Sequence, residues 1–167
     1  MDISTEMIKE LRDKSGAGIM ECRNILVQCE GDIDQALEVL KEKGLIKAQK
    51  KAERETSQGL IDAYIHYGGR VGAMVELNCE TDFVARTDEF RELAHCLAMQ
   101  VAALNPRYVS EEDVAEDDDV DPPVDCLLLQ PYIKDPTLTV KDLVVEAVAK
   151  VGENIKIGRF TRFELGG

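Results

Sequence analysis

The chain of 167 residues carries 20 basic and 33 acidic side chains, and its net charge of -13 disfavours a surface that binds nucleic-acid phosphates. Its 44% hydrophobic and 32% charged residues are typical of a globular protein with one domain, or with a small module and a larger core. No apolar run approaches the length of a membrane span, and five scattered cysteines indicate neither a disulfide framework nor a zinc site.

Residues 1–45 are predicted to form a module of three short helices. Ser4 is placed to cap the first helix, Asp32 to cap the third, and Gly44 to end the third. The lysine-rich residues 46–58 predict a solvated connecting helix or linker rather than a nucleic-acid site, because nearby glutamates dilute the positive charge. A module this small is near the lower limit for folding alone and is typical of docking units.

Residues 59–167 are predicted to form the core, which begins with a β-hairpin. Its strands cover residues 60–66 and 70–79, and the turn between them is Tyr67-Gly68-Gly69. Alternate residues of the second strand are apolar, so one face of this strand is expected to be buried.

Two amphipathic helices and a final strand complete the predicted core. Apolar residues at helical spacing predict helices over 87–104 and 139–152. A strand is predicted over 154–165, and the spacing of its bulky residues changes at Gly158, which predicts a bulge there. We therefore expect an α+β protein whose small antiparallel sheet is covered by helices.

The acidic residues 110–125 interrupt the core. They contain two prolines and no basic residue, so we predict a mobile, solvated loop. The spacing of three aspartates from Asp117 resembles a calcium loop, but Pro122 occupies the glycine position and Leu128 the position of the closing glutamate. We therefore reject a calcium site.

The segment Thr81–Arg86 joins the second strand to the first long helix of the core. Thr81 and Asp82 suit the start of a helix, where a hydroxyl accepts an amide hydrogen bond and a carboxylate interacts favourably with the helix dipole. Phe83 has no such explanation. An aromatic side chain in a polar turn either packs into the core or is offered to a partner.

The chain lacks the sequence motifs of common enzymes. No phosphate-binding loop, dinucleotide fingerprint, zinc-protease motif or serine-hydrolase motif occurs. His95 and Cys96 do not make a convincing base and nucleophile, because neighbouring side chains on a helix point about 100° apart. We therefore predict a protein without catalytic residues, cofactor or metal site.

Several stretches of the sequence resemble the elongation factor Ts family, the guanine nucleotide exchange factors for elongation factor Tu. The first stretches look like that family's ubiquitin-associated-like opening module, and Val75–Arg86 matches its signature. The matching stretches are Lys9–Arg12, Ser15–Cys22, Gly31–Ile33, Gly44–Ala48, Val75–Arg86, Gly152–Ile155 and Arg159–Phe160.

The resemblance implies nucleotide exchange without bond chemistry in a bacterial-type cytoplasm. In the family, the residues matching Asp82 and Phe83 enter between two helices of the partner's nucleotide domain and disturb its magnesium and phosphate sites, so that GDP leaves. Thr81 and Val84 flank this pair and belong to the same predicted partner-binding stretch.

The resemblance also implies partner-binding positions elsewhere. The positions expected to dock the opening module on the partner's nucleotide domain are Arg12, Ile19 and Met20. A turn whose histidine approaches the partner's phosphate loop is matched by His66, Gly68 and Gly69. Tyr67 stands where many short members have proline, and a hairpin residue without any contact is the alternative interpretation of His66.

The single core copy resembles the short form of the family, which forms homodimers through its core. In a homodimer, His66 of one subunit and Phe83 of the other are able to serve one partner molecule. A non-catalytic adaptor with a ubiquitin-associated-like module is the alternative function. An RNA-binding protein that uses residues 46–58 is disfavoured by the net charge of -13, and no nucleic-acid or membrane contact is expected.

Overall fold

The computed structural model describes residues 3–167, so Met1 and Asp2, the first residues of the predicted module, lie outside it. The helices are α1 (Thr5–Ser15), α2 (Ile19–Gln28), α3 (Ile33–Lys51), α4 (Asp82–Ala85), α5 (Asp88–Leu104), α6 (Pro122–Asp125) and α7 (Val140–Val151). The strands are β1 (Gln58–Ile65), β2 (Val71–Cys79), β3 (Pro131–Tyr132), β4 (Asp135–Thr139) and β5 (Ile155–Glu164). The predicted α+β class is confirmed. Over residues 3–167, no helix is long and apolar enough to cross a membrane.

The first three helices pack around a small core of their own. Ser4 begins α1 by accepting a hydrogen bond from the Met7 amide at 3.2 Å. Asp32 begins α3 in the same way, with the Gln35 amide at 3.0 Å, so both predicted caps are confirmed. The buried residues of this core are Leu11, Cys22, Ile25, Leu26, Cys29, Ala36 and Leu40.

The prediction that Gly44 ends the third helix is wrong, since α3 continues to Lys51. Gly44 is buried and faces α7, where an added β-carbon would lie 3.8 Å from Ala149 Cβ and 4.0 Å from Val145 Cγ1. Packing against α7 keeps the chain helical where the local propensity of glycine favours a stop. The start of the predicted connecting helix is therefore the end of α3, and not a separate element.

We expect the substitution Gly44→Ala to raise the free energy of unfolding by about 0.5–1 kcal/mol. Alanine restricts the unfolded chain, and the added methyl group meets its neighbours at ordinary van der Waals distance. Gly152→Ala is the matched control and should destabilise, because Gly152 follows α7 with a φ of 78° that strains alanine. Urea denaturation measures both effects. A loss of stability in Gly44→Ala would mean that α3 and α7 lie too close together to accept the added methyl group, in conflict with the structure.

The core contains a three-stranded antiparallel sheet with β2 between β1 and β5. The register of β2 and β5 skips Gly158 between the pairs Glu76–Arg159 and Leu77–Ile157, which confirms the predicted bulge. One face of the sheet packs against α5 and α7. The buried residues that β2 contributes to this face are Ala73, Val75, Leu77 and Cys79.

The opposite face of this sheet is exposed. The side chains of β2 alternate between the two faces, and residues paired across the strands share a face. Exposed apolar side chains therefore form one patch, which we call the open sheet face. Its large residues are Ile61, Ile65, Met74 and Phe163.

A second, two-stranded sheet pairs β3 with β4 and was not predicted. Prolines in both strands make them poor candidates from sequence alone. The buried side chain of Gln100 on α5 organises this region, because its Nε2 donates to the Pro131 carbonyl at 3.0 Å and its Oε1 accepts from the Ile133 amide at 3.0 Å. The β3–β4 sheet is therefore held by a glutamine that is distant in the chain, and no local sequence pattern predicts it.

The acidic residues 110–125 are largely exposed, as predicted, but they are not a loop throughout, since they contain a 3-10 turn at Glu111–Asp113 and the short helix α6. Arg107, which precedes the segment, lies 3.4 Å from the Asp118 carboxylate and donates to the Asp119 carbonyl at 3.2 Å. The Tyr108 hydroxyl also donates to Asp118. Arg107, just before the acidic segment, thus provides a positive charge to it. The mobility of the segment stays a prediction.

Candidate functional site

The candidate site is the segment Thr81–Arg86, which we call the 81–86 junction. It forms the short helix α4 between β2 and α5. Thr81 begins α4 by accepting a hydrogen bond from the Val84 amide at 3.5 Å. Thr87 begins α5 separately, through the Phe90 amide at 3.3 Å. The junction is therefore a helical turn of its own and not the first turn of the long helix.

The side chains of the 81–86 junction divide between the core and the solvent. Val84 and Ala85 are buried in the core, whereas Phe83 is 78% exposed. Of the two interpretations of Phe83, packing into the core is thus wrong for this structure. Asp82 and Arg86 form an ion pair at 2.9 Å on the surface, where such pairs add little to stability.

Glu153 holds the 81–86 junction from the turn between α7 and β5. Its Oε2 accepts a hydrogen bond from the Thr81 amide at 3.0 Å, and its Oε1 accepts from the Thr81 hydroxyl at 2.6 Å. Sequence reasoning placed Glu153 in a family motif but gave it no role at the site. Because Glu153 and Thr81 are far apart along the chain, no local sequence pattern predicts their contact.

Asn154, the next residue, ties the same turn to two other segments. Its amide donates to Glu80 Oε1 at 2.7 Å, immediately before the junction. Its side-chain Nδ2 donates to the carbonyls of Ala52 at 3.3 Å and Arg54 at 2.8 Å, in the segment that leads from α3 to β1. Asn154 is buried, so these bonds are shielded from water.

Cys79 supports the junction from the end of β2. Burial raises the pKa of the Cys79 thiol, and the nearby Glu153 carboxylate raises it further. The thiol therefore stays protonated at neutral pH and donates to the Thr81 carbonyl at 3.1 Å. A neutral, buried thiol is a structural group and not a nucleophile.

The hairpin turn holds the other predicted exchange residues. Gly68 and Gly69 have φ values of 89° and 68°, a conformation that glycine adopts without strain. His66 is exposed, and its Nδ1 lies 3.0 Å from the Tyr64 hydroxyl. Tyr67 projects from the turn and is 97% exposed.

The structure does not bring His66 and Phe83 together within one chain. The turn precedes β2 and the 81–86 junction follows it, so the two sites lie at opposite ends of this strand. At a rise of about 3.3 Å per residue, β2 separates them by roughly 30 Å.

The predicted docking residues lie on the first two helices. Ile19 and Met20 begin α2 and are exposed. Arg12 lines a cleft of about 610 Å³ between α1 and the start of α5, and Val84 and Thr87 line its other side. The cleft therefore connects a predicted docking residue with the 81–86 junction.

His95 has a structural explanation. Its Nδ1 lies 3.0 Å from the Asp62 carboxylate on β1, and its ring meets Tyr64 edge to face with centroids 5.8 Å apart. Among residues 3–167, no cluster of three or more histidine, cysteine or acidic side chains is placed to hold a metal ion.

Comparison with known proteins gives consistent matches. The family described as Elongation factor TS matches residues 3–119. Curated proteins named elongation factor Ts are similar over nearly the whole chain. The protein from Carboxydothermus hydrogenoformans is 46% identical, with 98% of this chain and 89% of that protein covered. The proteins from Fervidobacterium nodosum and Caldanaerobacter subterraneus are 43% and 47% identical, with 99% and 98% of this chain and 100% and 97% of those proteins covered.

The alignments also show a difference in length. The alignment with the Carboxydothermus hydrogenoformans protein runs over 194 positions, more than the 167 residues of this chain. That relative therefore carries residues that are absent here.

Proposed function

The chain belongs to the elongation factor Ts family of translation elongation factors, and we propose that it promotes the release of GDP from elongation factor Tu. The observation that carries this proposal is the exposure of Phe83 on a turn whose neighbours, Val84 and Ala85, are anchored in the core. When a partner covers a large apolar side chain that is exposed in this way, the removal of apolar surface from water stabilises the complex.

The proposed mechanism is the insertion of Asp82 and Phe83 between two helices of the partner's nucleotide domain. Burial of the phenylalanine contributes about 1.5–3 kcal/mol, which offsets distortion of the partner. Asp82 brings a carboxylate to polar groups that are organised around magnesium. The partner's phosphate site is disturbed, and GDP dissociates.

Exchange of this kind needs no bond chemistry, and we infer that the protein is not an enzyme. Binding of the factor and binding of the nucleotide are linked. If the factor binds the nucleotide-free partner more tightly than the nucleotide-bound partner, it weakens nucleotide binding by the same ratio. We place this activity in a bacterial-type cytoplasm. It involves no cofactor, no metal ion of the chain itself, and no direct contact with nucleic acid or membrane.

Docking by the opening module supplies affinity away from the nucleotide. Ile19 and Met20 offer exposed apolar surface, and Arg12 adds a cationic group beside the cleft that leads to the 81–86 junction. We assign these residues to binding of the partner's nucleotide domain, and the turn at His66, Gly68 and Gly69 to its phosphate loop.

We further propose a homodimer formed through the core. One protomer separates His66 from Phe83 by the length of β2, whereas two protomers are able to present one residue each to the same partner. The open sheet face is the apolar surface that favours this association, because large apolar residues lie exposed on all three of its strands.

The substitution Met74→Lys tests the dimer, since Met74 lies on the central strand of the open sheet face and is 47% exposed. We expect a charge there to raise the dimer dissociation constant about thirtyfold or more, because burial of an unpaired ammonium is unfavourable. Analytical ultracentrifugation across protein concentration measures this constant. Val124→Lys, at an exposed apolar residue outside the sheet, is the matched control. A wild-type protein that is monomeric at all concentrations contradicts the proposal.

The binding step is tested with elongation factor Tu stripped of nucleotide. We expect the two proteins to co-elute from a gel-filtration column, and we expect excess GDP to separate them because the two ligands oppose each other. A complex that persists unchanged in GDP would favour the adaptor alternative. Absence of any complex would contradict the proposal.

A further inference from the structure

We propose that Glu153 is a positioning residue that fixes the 81–86 junction and so holds Phe83 in the orientation needed for exchange. This inference rests on the proposed function. Glu153 lies on the turn after α7 and is not one of the junction residues that are proposed to contact the partner.

Both oxygens of the Glu153 carboxylate are engaged by one residue. The Thr81 amide donates at 3.0 Å and the Thr81 hydroxyl at 2.6 Å, so the carboxylate fixes the position and the rotamer of that side chain together. Hydrogen bonds to a charged acceptor are stronger than those between neutral groups. No other acidic side chain accepts a hydrogen bond from Thr81 among residues 3–167.

Thr81 in turn sets the start of α4. Its hydroxyl accepts from the Val84 amide, and its backbone leads directly into the turn that carries Phe83. A helix of 4 residues has too few internal hydrogen bonds to be stable by itself, so its geometry depends on such external contacts.

Glu153 is itself held on both sides. Gly152 ends α7 in the left-handed conformation with a φ of 78°, which turns the chain toward the junction. On the other side, Asn154 is bonded to Glu80 and to the carbonyls of Ala52 and Arg54. The carboxylate therefore projects from a fixed turn, as a positioning group requires.

The expected kinetic consequence is specific. Loss of the Glu153 contacts leaves the docking residues Arg12, Ile19 and Met20 in place, so the concentration of factor that gives half-maximal exchange should hold within about twofold. The oriented insertion of Phe83 is lost, and the maximal rate of GDP release should fall about tenfold.

The test compares Glu153→Ala with Glu153→Gln in an assay of labelled GDP release from elongation factor Tu. The glutamine carbonyl still accepts one of the two hydrogen bonds, so Glu153→Gln should retain an intermediate maximal rate. Glu146→Ala is the matched control, because Glu146 lies on α7, the helix that leads into the turn of Glu153, and pairs only with Lys150 among residues 3–167. We expect its rate to equal that of the wild type.

A second measurement separates positioning from general loss of structure. Hydrogen exchange at the Thr81 amide should accelerate in Glu153→Ala, while amides of β2 keep their wild-type protection. Thr81→Val should lower the maximal rate less in Glu153→Ala than in the wild-type background, because without Glu153 the hydroxyl keeps only its hydrogen bond from the Val84 amide.

The outcomes distinguish this inference from the proposed function. A wild-type maximal rate in Glu153→Ala overturns the positioning role and leaves the exchange function intact. A raised half-maximal concentration with an unchanged maximal rate also overturns it. Failure of the wild-type protein to release GDP overturns the exchange function itself. If Glu153→Ala does not fold, the rate and the Thr81 amide protection of Glu153→Gln decide the question.

Discussion

Replacement of Phe83 by alanine is expected to lower the maximal rate of GDP release from elongation factor Tu by about a hundredfold. The side chain is 78% exposed in the free protein, so its loss removes little from the folded state. Its burial in the partner supplies up to about 3 kcal/mol, and each 1.4 kcal/mol corresponds to about a factor of ten. Fluorescent GDP in a stopped-flow instrument measures the rate.

Leu104→Ala is the control for this experiment, because Leu104 is a partly exposed apolar residue at the far end of α5 from the junction. Its exchange rate should equal that of the wild type. Two results would contradict the assignment of Phe83: an unchanged rate in Phe83→Ala, or a large loss of folding stability in that variant.

The opposite behaviour is expected of Phe90, which stands only a short distance further along the chain. Phe90 is 0% exposed and packs in the core beneath the sheet. Phe90→Ala should lower the free energy of unfolding by about 3–5 kcal/mol, since it removes a large buried side chain and leaves a cavity. That loss is a large fraction of the roughly 5–15 kcal/mol by which domains are stable.

Urea denaturation measures the effect of Phe90→Ala, and Phe83→Ala is its matched control, with an expected change below about 0.5 kcal/mol. Substitution of Phe90 should therefore affect mainly the stability of the fold, and substitution of Phe83 mainly the exchange reaction with the partner. Equal destabilisation by the two substitutions would mean that Phe83 contributes to the core, in conflict with the structure.

The elements with strong local signals were predicted well from sequence. The helix α5 has an apolar stripe and a capping residue at Thr87, and α7 lies between Thr139 and Gly152. The alternation along β2 predicted its buried face, and the change of spacing at Gly158 predicted the bulge. In each case the information lies within a few neighbouring residues, so periodicity and caps are sufficient.

Features that depend on distant contacts were not predicted. The local pattern predicts a helix end at Gly44, whereas the packing of α3 against α7 at this residue involves Ala149, far away in the chain. The β3–β4 sheet depends on the buried side chain of Gln100. Tertiary contacts override local propensity at both places.

The candidate site shows the same division. Sequence reasoning identified the unusual chemistry of Thr81–Arg86 but left two interpretations of Phe83, and the exposure of the Phe83 side chain in the structure separates them. It did not connect Glu153 with Thr81, since their contact joins residues 72 positions apart. Partner binding by Arg12, Ile19, Met20 and the His66 turn stays a prediction.

The exchange function is tested most directly by the rate of labelled GDP release from elongation factor Tu at increasing concentrations of this protein. We expect a rate that rises with concentration and saturates, with no chemical change in the nucleotide. We expect Phe83→Ala to bind the partner but to release GDP about a hundredfold more slowly at saturation. A release rate that stays at its spontaneous value at every concentration of the wild-type protein would contradict the exchange function.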